Sequence, residues 1–201
     1  MKSIDLLQKY IFNKNILIVG GSPSANNKPQ EWYDKFEIIV RMNNYKKANN
    51  ARTDIYFSYF GRNIKKTPLE LMRDGVKFLI NKCPNSDMTN SLSQYNVNMA
   101  DYRWIYDFRQ NWWFRPLVSL SEDQLINQIK LLDGYMPTVG FSAILFFLDK
   151  VETVTIIGFD CFESKIHNLD ERWDGSGNHN PEKEKEELLA LKEQGRLIWK
   201  N

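Results

Sequence analysis

Ile16-Leu17-Ile18-Val19-Gly20-Gly21-Ser22-Pro23-Ser24 is the stretch on which the fold class turns. Four apolar residues in a row do not alternate as a half-exposed strand must. They read as a strand covered on both faces, the situation in a parallel sheet packed between helices. The Gly-Gly-Ser-Pro-Ser run then stops the strand with a tight loop. Upstream, Ile4, Leu6, Leu7 and Ile11 follow Ser3 at the spacing of a short amphipathic helix, closed by a turn at Asn13 to Asn15. Downstream, apolar runs at 37–42, 54–59, 76–81 and 153–157 read as further strands.

Helical patterns lie between them. Ser121-Glu122-Asp123-Gln124 is a capping box ahead of Leu125, Ile126, Ile129, Leu131 and Leu132, with Gly134 as the stop. A second helix, over 141–148, is apolar nearly all round and is therefore buried. The third opens at Asn180-Pro181, an N-cap followed by proline at the first helical position, and runs through Leu188, Leu189 and Leu191 to near Gly195. Short strands alternating with helices predict an α/β protein: one domain over 1–201 with a mainly parallel sheet flanked by helices. Ligands of such sheets bind at the carboxyl ends of the strands. From about 85 to 116 the pattern gives way to polar residues interleaved with aromatics such as Tyr102, Trp104, Trp112 and Trp113. A segment this long reads as a lid or binding insertion, although its rings serve equally as plain core.

Composition narrows the class. In 201 residues, 27 Lys and Arg face 25 Asp and Glu, so the formal charge is only +2. That balance argues against a broad basic surface for nucleic acid. Cys83 and Cys161 have no zinc-type spacing and form no disulfide framework, which points to a reducing, cytoplasmic setting. Lys2, Asp5, Lys9 and Lys14 interrupt the apolar residues of the N-terminus before a signal-peptide core can form. The apolar run at 141–148 is eight residues, far short of the ~20 needed to span a bilayer. A soluble chain is expected, with peripheral association at the inner face of a membrane left open.

Four places could carry chemistry. The loop Gly20-Gly21-Ser22 can bring backbone N–H groups close to a phosphate or ribose, but equally serves as a bare turn. It lacks both G-x-G-x-x-G and the Walker lysine. Val40-Arg41-Met42-Asn43-Asn44 ends the second strand, where Asn43 can offer a donor and an acceptor to a base or ribose, or simply close a polar turn. In Pro137-Thr138-Val139-Gly140, Thr138 is an N-cap candidate at a helix start suited to phosphate, or a cap and nothing more. The two histidines, His167 and His179, flank an acidic, Gly-containing loop. With Asn180 as N-cap, His179 and Glu184 occupy the two staple positions, so that the carboxylate would fix the imidazole for general-base work. An exposed loop histidine is the plainer alternative. Asp170, Glu171 and Asp174 offer carboxylates to a metal, but no D-x-D follows a strand and no metal site is expected.

Taken in order, these pieces resemble the sialyltransferase-type glycosyltransferases, which use CMP-activated acidic sugars. The residues carrying the resemblance are the strand and Gly-rich turn of Ile16 to Ser24, the R-x-N of Arg41 to Asn43, Pro137-Thr138-Val139-Gly140, Ile157-Gly158-Phe159-Asp160, and His179 with Glu184. Gly21 stands where the family usually has Asn, Val139 where Ser or Thr is common, and Phe162 where bacterial members often have Tyr. The resemblance implies a GT-A-like variant of the Rossmann-like fold and inverting, metal-independent transfer of sialic acid or the related Kdo. The donor is a CMP-sugar, with no further cofactor, and the acceptor an oligosaccharide or lipid-linked glycan, as in lipopolysaccharide synthesis. It assigns His179 as general base, Glu184 as its orienting partner and His167 to the departing phosphate. Gly20, Gly21, Ser22 and Asn43 would hold the nucleotide, with Thr138 and Gly140 near the cytidine or phosphate. A non-catalytic nucleotide- or glycan-binding module, or a transferase using another nucleotide-sugar, are the alternatives.

Overall fold

The computed structural model describes residues 2–46, 52–60, 66–83, 116–161, 163, 166–167, 171–172 and 179–200. The expected insertion at 85–116, apart from its last residue, lies outside them, as do Phe162, Asp170 and Asp174. Nine strands are described: β1 (Ile16–Val19), β2 (Ile38–Met42), β3 (Ile55–Ser58), β4 (Phe78–Asn81), β5 (Leu117–Ser119), β6 (Val154–Ile157), β7 (Ile166–His167), β8 (Glu171–Arg172) and β9 (Leu197–Lys200). The α-helices are α1 (Ser3–Ile11), α2 (Gln30–Tyr33), α3 (Pro68–Arg73), α4 (Glu122–Leu131), α5 (Val139–Leu148) and α6 (Pro181–Glu193).

Seven strands form one sheet in the order β5-β4-β3-β2-β1-β6-β9, and every pairing in it is parallel. β7 and β8 make a separate antiparallel ribbon. The continuous apolar run of β1 is explained by its two faces. Ile16 and Ile18 join the larger core with Phe57, Phe141 and Phe147, while Leu17 and Val19 pack on the opposite side with Tyr33, Ile39 and Ile157. β2 and β6 divide their residues in the same way. With both faces covered, no position in β1 is left for a polar side chain, and all four of its residues are buried.

The helix starts are fixed by the expected caps. Ser121 Oγ accepts from Gln124 N–H at 3.2 Å, Thr138 Oγ1 from Phe141 N–H at 3.1 Å, and Asn180 Oδ1 from Lys183 N–H at 3.1 Å. α5 begins at Val139, two residues before the start of its apolar run, because Thr138 rather than a later residue caps it. The order in which strands are added reverses about β1: β2 to β5 extend on one side, β6 and β9 on the other. The crevice above β1 and β6 is therefore the topological switch point, where ligands of open parallel sheets bind.

Candidate active site

The turns that leave β1 and β6 touch. Gly20 N–H donates to the Ile157 carbonyl at 2.7 Å and Ser22 N–H to the Gly158 carbonyl at 3.0 Å. A Cβ on Gly20 would overlap the Gly158 carbonyl oxygen, so the two backbones can lie this close only because residue 20 has no side chain. Phe159 then lays its ring toward the first turn of α5, where a Cβ on Gly140 would stand 2.6 Å from its Cε1. Gly20 and Gly140 are thus both small on account of one neighbouring segment, Gly158-Phe159.

This packing leaves a small cleft of about 70 Å³ that opens to solvent. Gly20, Gly21, Thr138, Gly140 and Glu184 line it, drawn from the end of β1, the start of α5 and the first turn of α6. Ser22 lies just beyond, in an adjoining recess with Ser24, Lys185 and Lys192 that shares Phe159, Asp160 and Cys161 with the cleft. Asn43 is not among the lining residues; its neighbour Met42 is. Asn43 adopts φ +47° at the end of β2, and its Oδ1 accepts from Ser58 Oγ at 3.0 Å. His167 sits in the β7–β8 ribbon, paired through its backbone with Glu171.

The expected contact between His179 and Glu184 is replaced by two separate ones. Glu184 turns its carboxylate to Thr138, accepting from the backbone N–H at 2.6 Å through Oε1 and from the hydroxyl at 2.7 Å through Oε2. The imidazole is held instead by the Met136 carbonyl, 2.6 Å from Nδ1. A carbonyl only accepts, so Nδ1 carries the proton and Nε2 is the basic nitrogen. Sequence spacing placed Glu184 one turn above the imidazole, but the cap of α5, 46 residues away in the chain, offers it two donors.

Burial disfavours the charged form of both groups. Burial raises the Glu184 carboxyl to about 7, against the lowering effect of the two Thr138 bonds and the Lys82 charge. Burial, then the Lys82 charge, lowers the His179 pKa, against the Met136 bond that raises it. The neutral imidazole is therefore the resting form at pH 7. Lys82, at the end of β4, was not legible as a site residue. It is 4% exposed, and its Nζ donates to the Pro137 carbonyl. Arg41 is equally hidden, with its guanidinium 5.8 Å from the ring centroids of both Tyr33 and Tyr45. Among the described residues, no group of three or more His, Cys, Asp and Glu is arranged to hold a metal ion, and no helix is long and apolar enough to cross a membrane.

No protein-family model and no curated protein matches the sequence. Solved structures do. A mammalian sialyltransferase in complex with Gal-beta-1-3GalNAc-ortho-nitrophenol superposes with a TM-score of 0.64 over 97% of this chain and 72% of its own, at 13% identity. The fold is sialyltransferase-like. A second mammalian sialyltransferase structure gives a TM-score of 0.61 over 98% of this chain and 77% of its own, at 14% identity. The sialyltransferase-like architecture thus runs through nearly the whole chain. At this identity the likeness concerns the path of the backbone, and the side chains must be argued from their own geometry.

Proposed function

We propose that the protein is an inverting glycosyltransferase that moves an acidic sugar, sialic acid or Kdo, from a CMP-activated donor to a hydroxyl of an oligosaccharide or lipid-linked glycan. The observation that carries this reading is the imidazole of His179, which does not itself line the cleft but is fixed by its Nδ1–H on the Met136 carbonyl, two residues before the cleft-lining Thr138, at the switch point of a sialyltransferase-like sheet. Nε2 takes the proton of the acceptor hydroxyl as its oxygen bonds to the anomeric carbon from the face opposite the phosphate. The bond from that carbon to the phosphate oxygen breaks, and CMP leaves with the electron pair. A lowered pKa keeps the imidazole neutral and able to accept at pH 7.

Glu184 then serves through Thr138 rather than through His179. By gripping the N-cap of α5 it fixes the helix start whose first-turn residue Gly140 lines the cleft. Helix N-termini carry partial positive charge and unpaired N–H groups, which suits the donor phosphate. In this reading the transfer needs no metal cofactor, because CMP leaves as a monoester whose developing charge a few hydrogen bonds and a dipole can carry. In this reading Gly20, Gly21 and Ser22 complete the nucleotide side and His167 the phosphate side, while Asn43, outside the cleft lining, supports the β2 end through Ser58.

Thermal unfolding in the presence of CMP, CDP, UDP, GDP-sugars and NAD tests the donor class, since a ligand selective for the folded state raises its stability by mass action. Stabilisation by CMP, together with acceptor-dependent release of CMP from a CMP-sugar that is lost in His179→Ala, is the expected result. Stabilisation by UDP- or GDP-sugars and not by CMP would overturn the reading, as would full transfer by His179→Ala.

A further inference from the structure

Three consecutive residues of one loop are each held by a side chain distant in the sequence. The Met136 carbonyl accepts from His179 Nδ1–H at 2.6 Å, the Pro137 carbonyl accepts from Lys82 Nζ, and Thr138 donates its N–H and hydroxyl to Glu184. Two of these ties run to the segment that opens α6. The third runs to the sheet: Lys82 follows Asn81 at the end of β4, and its own N–H donates to the Ser58 carbonyl of β3 at 2.8 Å. Pro137 has no N–H, so its carbonyl is the loop's only backbone polar group available at that position.

Burying an ammonium group is expensive, and a single neutral carbonyl is modest compensation. An apolar side chain would fill the same space without that cost. Burial accordingly pushes the Lys82 pKa down, with Cys83 and Glu184 opposing. The ionisable groups that bear on the loop among the described residues are Lys82 and Cys83 from the end of β4, Glu184 from α6, and His179 itself.

We infer that Lys82 is a positioning residue for His179: by anchoring the Pro137 carbonyl to the sheet, it holds the Met136 carbonyl where it meets Nδ1–H and so leaves Nε2 as the basic nitrogen. Its meaning for catalysis rests on the transfer reaction proposed above, but the arrangement itself does not. The same ammonium is a like charge to an imidazolium, which adds to the burial that disfavours protonation of the ring.

The chain has two histidines, so nitrogen-detected NMR of the imidazoles in the substrate-free protein, assigned with His179→Gln, reads the tautomer and titration of His179 directly. Wild type is expected to show the Nδ1–H tautomer. Lys82→Met is expected to mix the two tautomers and raise the His179 pKa. Lys82→Gln, which keeps a donor for Pro137 without the charge, should retain the tautomer while the pKa rises. In turnover, Lys82→Met should lower kcat about tenfold or more with donor KM little changed. An Nε2–H tautomer in wild type would overturn the inference without any variant. So would an unchanged tautomer and titration in folded Lys82→Met; should that variant not fold, an unchanged titration in Lys82→Gln decides against it. A wild type that transfers no sugar from CMP donors would sink the functional reading and leave these spectra to judge Lys82 on their own.

Discussion

Replacing Glu184 with Gln should remove a pH dependence from the stability of the protein, and its size follows from the burial of one carboxyl. Glu184 is 4% exposed and its pKa is raised from the ordinary 4.5 to about 7. Each tenfold difference in proton affinity between the folded and unfolded chain is worth about 1.4 kcal/mol, so this carboxyl accounts for about 3 kcal/mol. The sign is set by which state releases its proton first. As pH rises past the carboxyl's unfolded value, the unfolded chain ionises while the folded chain still holds its proton. The contribution to stability is complete below about pH 4.5 and is lost as pH rises through about 7. Wild type should therefore lose about 3 kcal/mol from this group between pH 4.5 and 8, or about 10 °C in Tm for a chain of this size.

The amide of the Glu184→Gln variant would still present an oxygen to Thr138 and cannot ionise. The lowered pKa of His179 affects both proteins alike and cancels in their difference. Urea unfolding of wild type and Glu184→Gln at pH 5, 6, 7 and 8 gives that difference directly. It should move by about 3 kcal/mol in favour of the variant from pH 5 to 8. A difference that is constant with pH, or one that moves in favour of wild type, would refute the assignment of a raised pKa to a buried carboxyl clamped on Thr138.

Other outcomes follow from the same cleft. Gly140→Ala should cost about 1–3 kcal/mol because its Cβ stands 2.6 Å from the Phe159 ring, and Phe159→Leu in the same chain should restore most of it, as urea unfolding would show. Gly20→Ala should cost more than about 3 kcal/mol and resist that rescue, since its Cβ meets the Gly158 backbone before any side chain. Thr138→Val should cost about 1 kcal/mol for the lost cap of Phe141 N–H. It should also move the pH window of Glu184 upward, because one of the bonds favouring its ionised form is gone, and this can be read from the same pH series. His179→Ala should leave the fold intact and lower transfer about 100-fold or more.

The central elements were legible because each announces itself locally. The unbroken Ile16–Val19 run requires cover on both faces, Ser121 and Gln124 form their box within four residues, and Asn180-Pro181 marks the start of α6. The outer strands do not. β5 has only Leu117, Val118 and Ser119, and β9 buries Leu197 alone in its four residues, so neither carries an apolar period strong enough to read. α3 has a full capping box at Thr67 and Glu70 with Pro68 inside it, but six residues give little helical face.

At the site, the residue types were readable and their partners were not. Gly20, Gly21, Thr138, Gly140 and Glu184 do meet at one cleft. Glu184, however, obeys a tertiary partner instead of its helical neighbour His179, and local spacing cannot announce a contact across 46 residues. Lys82 was missed for the same reason. A lysine at a strand end ordinarily reaches solvent, and only the packing of the Pro137 loop over it reveals otherwise.

The strand order also sets a sequence of assembly during synthesis. The first five strands lie contiguously on one flank of the sheet and can pair as they leave the ribosome, while β1 keeps its other edge bare until β6 arrives. The cleft needs Gly20 from the first strand and Glu184 from the last helix. A nascent chain therefore holds five strands of its scaffold before His179 and Glu184 are made, and one edge of β1 stays unpaired until β6 is added.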